Sequence, residues 1–134
     1  MNENFIPQLE DINQYLIKKT QWRIKPVNGV ILQRDYFNGL AFRTFPCAQY
    51  MRHPLKTKFT PDPDVFHEVV GHTPTFCDKR FCDISQEMGI LSLGEDDNII
   101  KILTNIYYFT FEYGLIKENG ELKCNGAGLT SELG

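Results

Sequence analysis

The chain has no stretch approaching the ~18 to 20 consecutive apolar residues that a membrane-spanning helix needs. It also lacks a secretory signal at its start, and together these absences lead us to expect a cytoplasmic protein with no membrane partner. An excess of positive charge is missing too. Fourteen Lys and Arg stand against 17 Asp and Glu, and a net charge of -3 speaks against a nucleic-acid partner. The four cysteines, Cys47, Cys77, Cys82 and Cys124, make no CxxC pair and no zinc-ribbon spacing. They read as reduced thiols, and an iron–sulfur site from Cys77, Cys82 and Cys124 would match no common ligand pattern. With no internal repeat and no low-complexity linker, 134 residues make one domain rather than two.

What is present is globular composition, 42% hydrophobic and 13% aromatic, so a core built largely of rings is expected. Ile6, Leu9, Ile12 and Leu16 recur at helical steps. Trp22-Arg23-Ile24-Lys25 before Pro26 reads as a short edge strand, and Asn28-Gly29 turns the chain into Val30-Ile31-Leu32. A helix is expected from Arg34 to Phe45, weakened by Asn38-Gly39. Another should run from Pro63 to Val70, capped by Asp62 and stopped at Gly71. A helix starting near Asp78 would carry Phe81, Ile84 and Met88 on one face. A longer one would begin with Glu95, Asp96 and Asp97 and continue through Glu112 to Gly114. Asn119-Gly120 between Leu115-Ile116-Lys117 and Glu121-Leu122-Lys123 predicts a hairpin. The expected fold is mainly α with short β strands and hairpins. The chain ends just after a Gly-rich loop, with no element that looks terminal, an ending expected of a fragment.

His67-Glu68-Val69-Val70-Gly71-His72 carries the strongest chemical signal. It resembles the HExxH of zinc proteases, with the second His one residue late. On a regular helix, positions i and i+4 differ by about 40° around the axis and i and i+5 by about 140°. The two imidazoles can therefore share an ion only where the helix gives way between them, and Gly71 with Pro74 supplies such a break. That spacing weighs against a zinc hydrolase and permits two imidazoles plus a carboxylate, the facial triad of non-haem Fe(II) oxygenases. Glu112, inside the most aromatic run, can supply the carboxylate. It also shares a helical stripe with Lys101, Asn105 and Tyr108, which can equally be a solvated face, and a histidine pair can equally be packing.

Several segments together resemble the aromatic amino acid hydroxylases. They are Thr60 to His72, Ser85-Gln86-Glu87-Met88-Gly89, Tyr107 to Gly114 and Gly126-Ala127-Gly128-Leu129. Upstream, Arg34-Asp35-Tyr36-Phe37, Gly39 to Arg43 and Gln49 to His53 match in the same register. The resemblance runs from about Pro7 to the end. It implies that His67, His72 and Glu112 bind Fe(II) and that a tetrahydropterin such as tetrahydrobiopterin donates electrons, with dioxygen as co-substrate. Gly29, Ile31, Gln33, Tyr36 and Glu68 would bind the pterin, Tyr36 stacking on it where relatives often carry Phe. Glu68 and Tyr107 would be catalytic. Arg52 would pair with the carboxylate of a free aromatic amino acid; Thr60, Gly128 and Ser131 would hold its backbone groups, and Pro63 and Tyr108 would flank its ring.

The implied reaction is ring hydroxylation, phenylalanine to tyrosine ahead of tryptophan or tyrosine. The sequence departs from the family at Pro46, where relatives commonly have His, and at Tyr108, in place of Trp or Phe. Thr130 and Glu132 alter the loop that closes on the substrate. The family's catalytic domain is about twice this long, in keeping with enzyme domains of ~250 to 300 residues. Residues 1–134 would then be the central segment of a single catalytic domain, lacking its N- and C-terminal parts. A non-catalytic fragment that binds metal or a full-length partner is the alternative.

Overall fold

In the computed structural model, residues 5–58 and 60–132 are described. The last two residues of the C-terminal segment, Leu133 and Gly134, thus lie outside them. Helix α1 (Leu9–Thr20) begins with a reciprocal pair of cap bonds between Gln8 and Asp11. It turns Leu16, Leu9 and Ile12 toward the core, while Ile6 stays outside the helix and exposed. Strand β1 (Arg23–Val27) is one residue later at its start than the expected strand and runs through Pro26. Val30, Ile31 and Leu32 form no regular element. Helix α2 (Gln33–Ala41) stops four residues short of the expected end. Arg43 turns the chain at a φ of 52°, and Thr44 and Phe45 open strand β2 (Thr44–Ala48) instead.

Strands β1 and β2 pair in parallel, Arg23 opposite Thr44 and Val27 opposite Ala48. Because Phe45, Pro46, Cys47 and Ala48 are all buried, β2 shows no alternation and reads as a continuous apolar run. Among the described residues the sheet has only these two strands, so both are edges and both tolerate a proline.

Helix α3 (Lys79–Ser92) is capped by Asp78, whose side chain accepts from the backbone N–H of Arg80. Its buried face is Cys82, Ser85, Met88, Gly89 and Ser92. Met88 keeps its expected place and Phe81 packs half-buried against the core, while Ile84 is exposed, so the buried face is rotated partway from the expected stripe. The rotation follows from the crossing with α2: a Cβ on Gly89 would lie 2.2 Å from the backbone nitrogen of Ala41, so only glycine lets the two helices meet. Helix α4 (Asp97–Tyr107) is capped by Asp96, which accepts from the N–H groups of Asn98 and Ile99. The hairpin forms as expected, β3 (Leu115–Glu118) antiparallel to β4 (Glu121–Cys124), with Asn119 and Gly120 at positive φ. A last short helix, α5 (Ala127–Ser131), follows.

The core is aromatic, as the composition implied. Trp22 stacks on Phe76 at 4.4 Å, Phe45 packs on Phe76, and Tyr107 stacks on Phe111 at 4.6 Å. Among the described residues no helix is long and apolar enough to cross a membrane. The architecture is mainly helical with short strands, in agreement with the expected fold class.

Candidate metal centre

The segment bearing both histidines does not break at Gly71. A helical turn from Val65 widens into a π-helix, His67–His72, which runs through Gly71 into a 3₁₀ stretch, Thr73–Cys77. The N–H of Thr73 bonds the carbonyl of Glu68, five residues back. A π turn holds about one residue more than the 3.6 of an α-helix, so position i+5 comes round to where i+4 would stand. The two histidines therefore face one point without any break. Gly71 serves another purpose: a Cβ there would lie 2.9 Å from the Cβ and carbonyl oxygen of Ala127, so it admits α5 against the helix.

Helix start and cap also differ from expectation. Asp64, not Asp62, caps the helix, accepting the N–H of His67 at Oδ1 (2.9 Å). Asp64 has none of its surface exposed and takes Arg52 as a fork, Nε to Oδ2 at 2.8 Å and Nη2 to Oδ1 at 2.9 Å. Arg52 and two backbone N–H groups outweigh burial and hold this carboxyl below its usual range. Sequence reading passed over Asp64; its i to i+3 spacing to His67 is the signal that marks it.

Glu112 reaches the site by the same device. Helix α4 passes into a second π-helix, Tyr108–Glu112, in which the N–H of Tyr113 bonds the carbonyl of Tyr108. In an α-helix Glu112 would follow Tyr108, which is exposed; the wider turn sets it after Tyr107, which is buried. Lys101, Asn105 and Tyr108 do form the wet face, and Glu112 leaves it. Its carboxylate stands 2.8 Å from His72 Nε2 and 3.5 Å from His67 Nε2. The donor atoms of the three residues lie within 4.8 Å of one another, the one such group among the described residues. None of the cysteines joins such a group; all are free thiols, Cys47 and Cys82 buried.

The electrostatics fit a cation. Burial, then the neighbouring His72, pushes His67 down to about 4, so its imidazole is neutral at physiological pH and available as a ligand. Burial alone would lower His72 as well, but the Glu112 carboxylate outweighs it and raises its pKa. Glu112 is lowered in turn, His72 outweighing burial. Ser131 Oγ bonds His67 Nδ1 at 2.8 Å and fixes that ring with Nε2 toward the centre. His72 likewise turns Nε2 inward, while its buried Nδ1 has no partner among the described residues. Two inward Nε2 atoms and one carboxylate form an N,N,O donor set that suits a divalent transition metal.

Two cavities flank this centre. One, of about 160 Å³, is lined by Gly29, Ile31, Gln33, Tyr36, Glu68 and Tyr107 together with His72 and Glu112. All five positions expected to touch the pterin thus share one space with two ligands. Burial raises Glu68 to about 7, and its Oε1 accepts the N–H of Ala48. The second cavity, about 350 Å³, is lined by Thr60, Pro63, Tyr108 and Gly128 with His67 and Glu112. Two expected substrate residues lie elsewhere. Ser131 is fully buried behind His67, and Arg52 is engaged by Asp64, with further bonds to the carbonyls of Thr57 and Ser131.

Fold and site together define a candidate mononuclear metal site of the two-histidine, one-carboxylate type, set between two cavities. The sequence profile of the biopterin-dependent aromatic amino acid hydroxylases matches residues 1–134, and the chain belongs to that family. It is 50% identical over 132 residues to phenylalanine-4-hydroxylase of Rattus norvegicus, covering 98% of this chain and 29% of that protein. To tyrosine 3-monooxygenase of the same species it is 46% identical, covering 98% of this chain and 26% of that one. The phenylalanine hydroxylase of Legionella pneumophila superimposes with a TM-score of 0.93 at 32% identity, over 99% of this chain and 57% of that one. The Chromobacterium violaceum enzyme with bound iron(III) and 7,8-dihydrobiopterin gives 0.92 at 29% identity, over 98% and 48%. The chain therefore spans about three-tenths of the curated relatives' length and about half of the solved chains.

Proposed function

We propose that the chain is the central segment of one catalytic domain of a tetrahydropterin-dependent Fe(II) monooxygenase. It would hydroxylate the ring of a free aromatic amino acid, phenylalanine to tyrosine. The observation that carries this reading is the triad His67, His72 and Glu112 standing between two separate cavities, one for each organic reactant. Phenylalanine is favoured because identity to the phenylalanine-4-hydroxylase, 50%, exceeds that to the tyrosine 3-monooxygenase, 46%.

Bound at the triad, Fe(II) with a reduced pterin supplies the electrons that let dioxygen attack a closed-shell ring. The protein's own part is to position and to enclose. Gly29, Ile31, Gln33 and Tyr36 would seat the pterin beside Glu68. Glu68, poised near neutrality by burial, can accept or donate a hydrogen bond to the pterin ring. Thr60, Pro63, Tyr108 and Gly128 would receive the amino acid; with Nε and Nη2 of Arg52 held by Asp64, its carboxylate would meet Arg52 through Nη1, in place of the Thr57 and Ser131 carbonyls. Ser131 holds the His67 ring with Nε2 toward the centre and would accept the Nδ1 proton once Nε2 binds a metal. The apolar walls, Pro63 and the rings of Tyr36 and Phe37, would help keep water from the reacting atoms.

The test is anaerobic loading with Fe(II), addition of tetrahydrobiopterin, phenylalanine and air, and mass spectrometry for tyrosine. Tyrosine above the level of a His67→Ala control supports the reading. Iron near one per chain without product, from this chain and from a longer form alike, contradicts the hydroxylase assignment. Product from the longer form only favours a fragment that binds metal without catalysis.

A further inference from the structure

The ring of Tyr36 lies edge-on to Phe37, Phe45 and Tyr107, with centroids 5.8, 6.1 and 5.3 Å away. Among the described residues its hydroxyl has one hydrogen-bond partner, the hydroxyl of Tyr107 at 2.5 Å. A phenol has a single proton to give. Tyr36 lines the cavity too, and the bond runs from its O–H to the Tyr107 oxygen. The Tyr107 oxygen, having accepted that bond, must send its own proton elsewhere. Tyr107 stacks on Phe111 on one side and tilts toward the His72 ring, 6.2 Å away, on the other. The polar groups left within its reach are those of the cavity it shares with Glu68, His72 and Glu112.

We propose that Tyr36 is a positioning residue acting through Tyr107: by donating to the Tyr107 hydroxyl, it commits that O–H as a donor into the metal cavity. A phenylalanine at position 36 could still stack on a pterin but would leave the Tyr107 hydroxyl free to rotate. The polar recipient would be an oxygen-bearing ligand at the triad, such as water or a diatomic gas. This inference rests on the metal-binding reading of the triad and adds to it a role that ring stacking does not require.

Nitric oxide on the Fe(II) protein is the probe, with pterin and amino acid left out so that stacking contributes nothing. Iron per chain is measured first in the unsubstituted protein, Tyr36→Phe, Tyr107→Phe and the double variant. The paramagnetic resonance signal of the nitrosyl adduct and the rate of NO release follow. A lost hydrogen bond corresponds to a rate roughly 3- to 10-fold faster. Tyr107→Phe should release NO faster by that factor with an altered signal. Tyr36→Phe should reproduce most of both changes, and the double variant should be no worse than Tyr107→Phe. A Tyr36→Phe protein with normal iron, signal and release overturns the proposal. So do effects that multiply in the double variant, or an inert Tyr107→Phe. Absence of iron from the unsubstituted protein overturns the metal reading itself, which the iron measurement registers separately.

Discussion

Asp64 holds Arg52 through two short bonds of 2.8 and 2.9 Å, and the same carboxylate caps the helix that begins the metal site by accepting the N–H of His67. One buried acid thus fixes both the Arg52 guanidinium and the first residue of the candidate metal centre. Neither job is separable from the other, because both oxygens are already in use.

Removing Asp64 leaves the Arg52 charge, only 7% exposed at its side chain, with no counterion but Glu132, whose Oε2 lies 4.0 Å from Nη1. Breaking a buried pair from one side costs about 3 to 5 kcal/mol. Asp64→Ala is therefore expected to lower unfolding stability by about that amount in urea titrations of the metal-free protein. The pH sense follows from the depressed carboxyl: the pair stabilises above the ordinary carboxylate range and the contribution fades as pH falls through the lower native value. An Asp64→Ala protein with unchanged midpoint and slope would contradict this.

Glu68 behaves oppositely. Burial raises it from 4.5 to about 7, so the native state binds its proton more tightly than the unfolded chain does. Stability of the metal-free protein should therefore fall as pH rises from about 4.5 to 7 on this account, then level off. Glu68→Gln removes the buried charge while keeping an oxygen for the Ala48 N–H. The variant is expected to be more stable than the parent at pH 8, by about 3 kcal/mol at most. At pH 4 the two should be nearly equal. Thermal melts at the two pH values check it; a gain at pH 4 only would reverse the sign and refute it.

Gly71→Ala places a methyl 2.9 Å from the Ala127 carbonyl oxygen, and backbone cannot swing aside as a long side chain does. Overpacking of this kind costs about 1 to 3 kcal/mol. Because α5 carries Ser131, which orients His67, the same change should weaken iron binding. Denaturant midpoints and iron affinity should drop together. A stable variant with normal affinity would show that Gly71 is not there for α5.

Metal binding should release protons. In the metal-free site His72, raised by Glu112, shares a proton with that carboxylate at 2.8 Å, and a cation must displace it. Calorimetry in buffers of different ionisation enthalpy should show net proton release near neutral pH, decreasing as pH rises above the raised His72 value. Heats independent of buffer would contradict this.

Much of this was legible in the chain. The Asn119-Gly120 hairpin, the acids at the start of α4 and the Asp78 start of α3 were readable because each is set by neighbours in sequence. The three residues of the candidate metal centre were nameable, and the five positions expected to touch a pterin line one cavity. The windings that assemble the ligands were not readable. A reading by periods of 3.6 and 2 has no place for a π turn, so His72 looked like the far side of a break and Glu112 like a wet face. Strand β2 was hidden because a buried parallel strand does not alternate. The Asp64–Arg52 and Ser131–His67 bonds were hidden for a shared reason. Their partners lie 12 and 64 residues apart, a distance that local pattern does not span.

The most direct test of the centre is iron stoichiometry after anaerobic equilibration with Fe(II), measured by mass spectrometry of the metal. We expect close to one iron per chain for the unsubstituted protein. His72→Ala and Glu112→Gln, still folded by circular dichroism, should bind less than about a tenth of that, since a lost ligand weakens a three-ligand site by well over tenfold. Iron unchanged in both variants would contradict the triad.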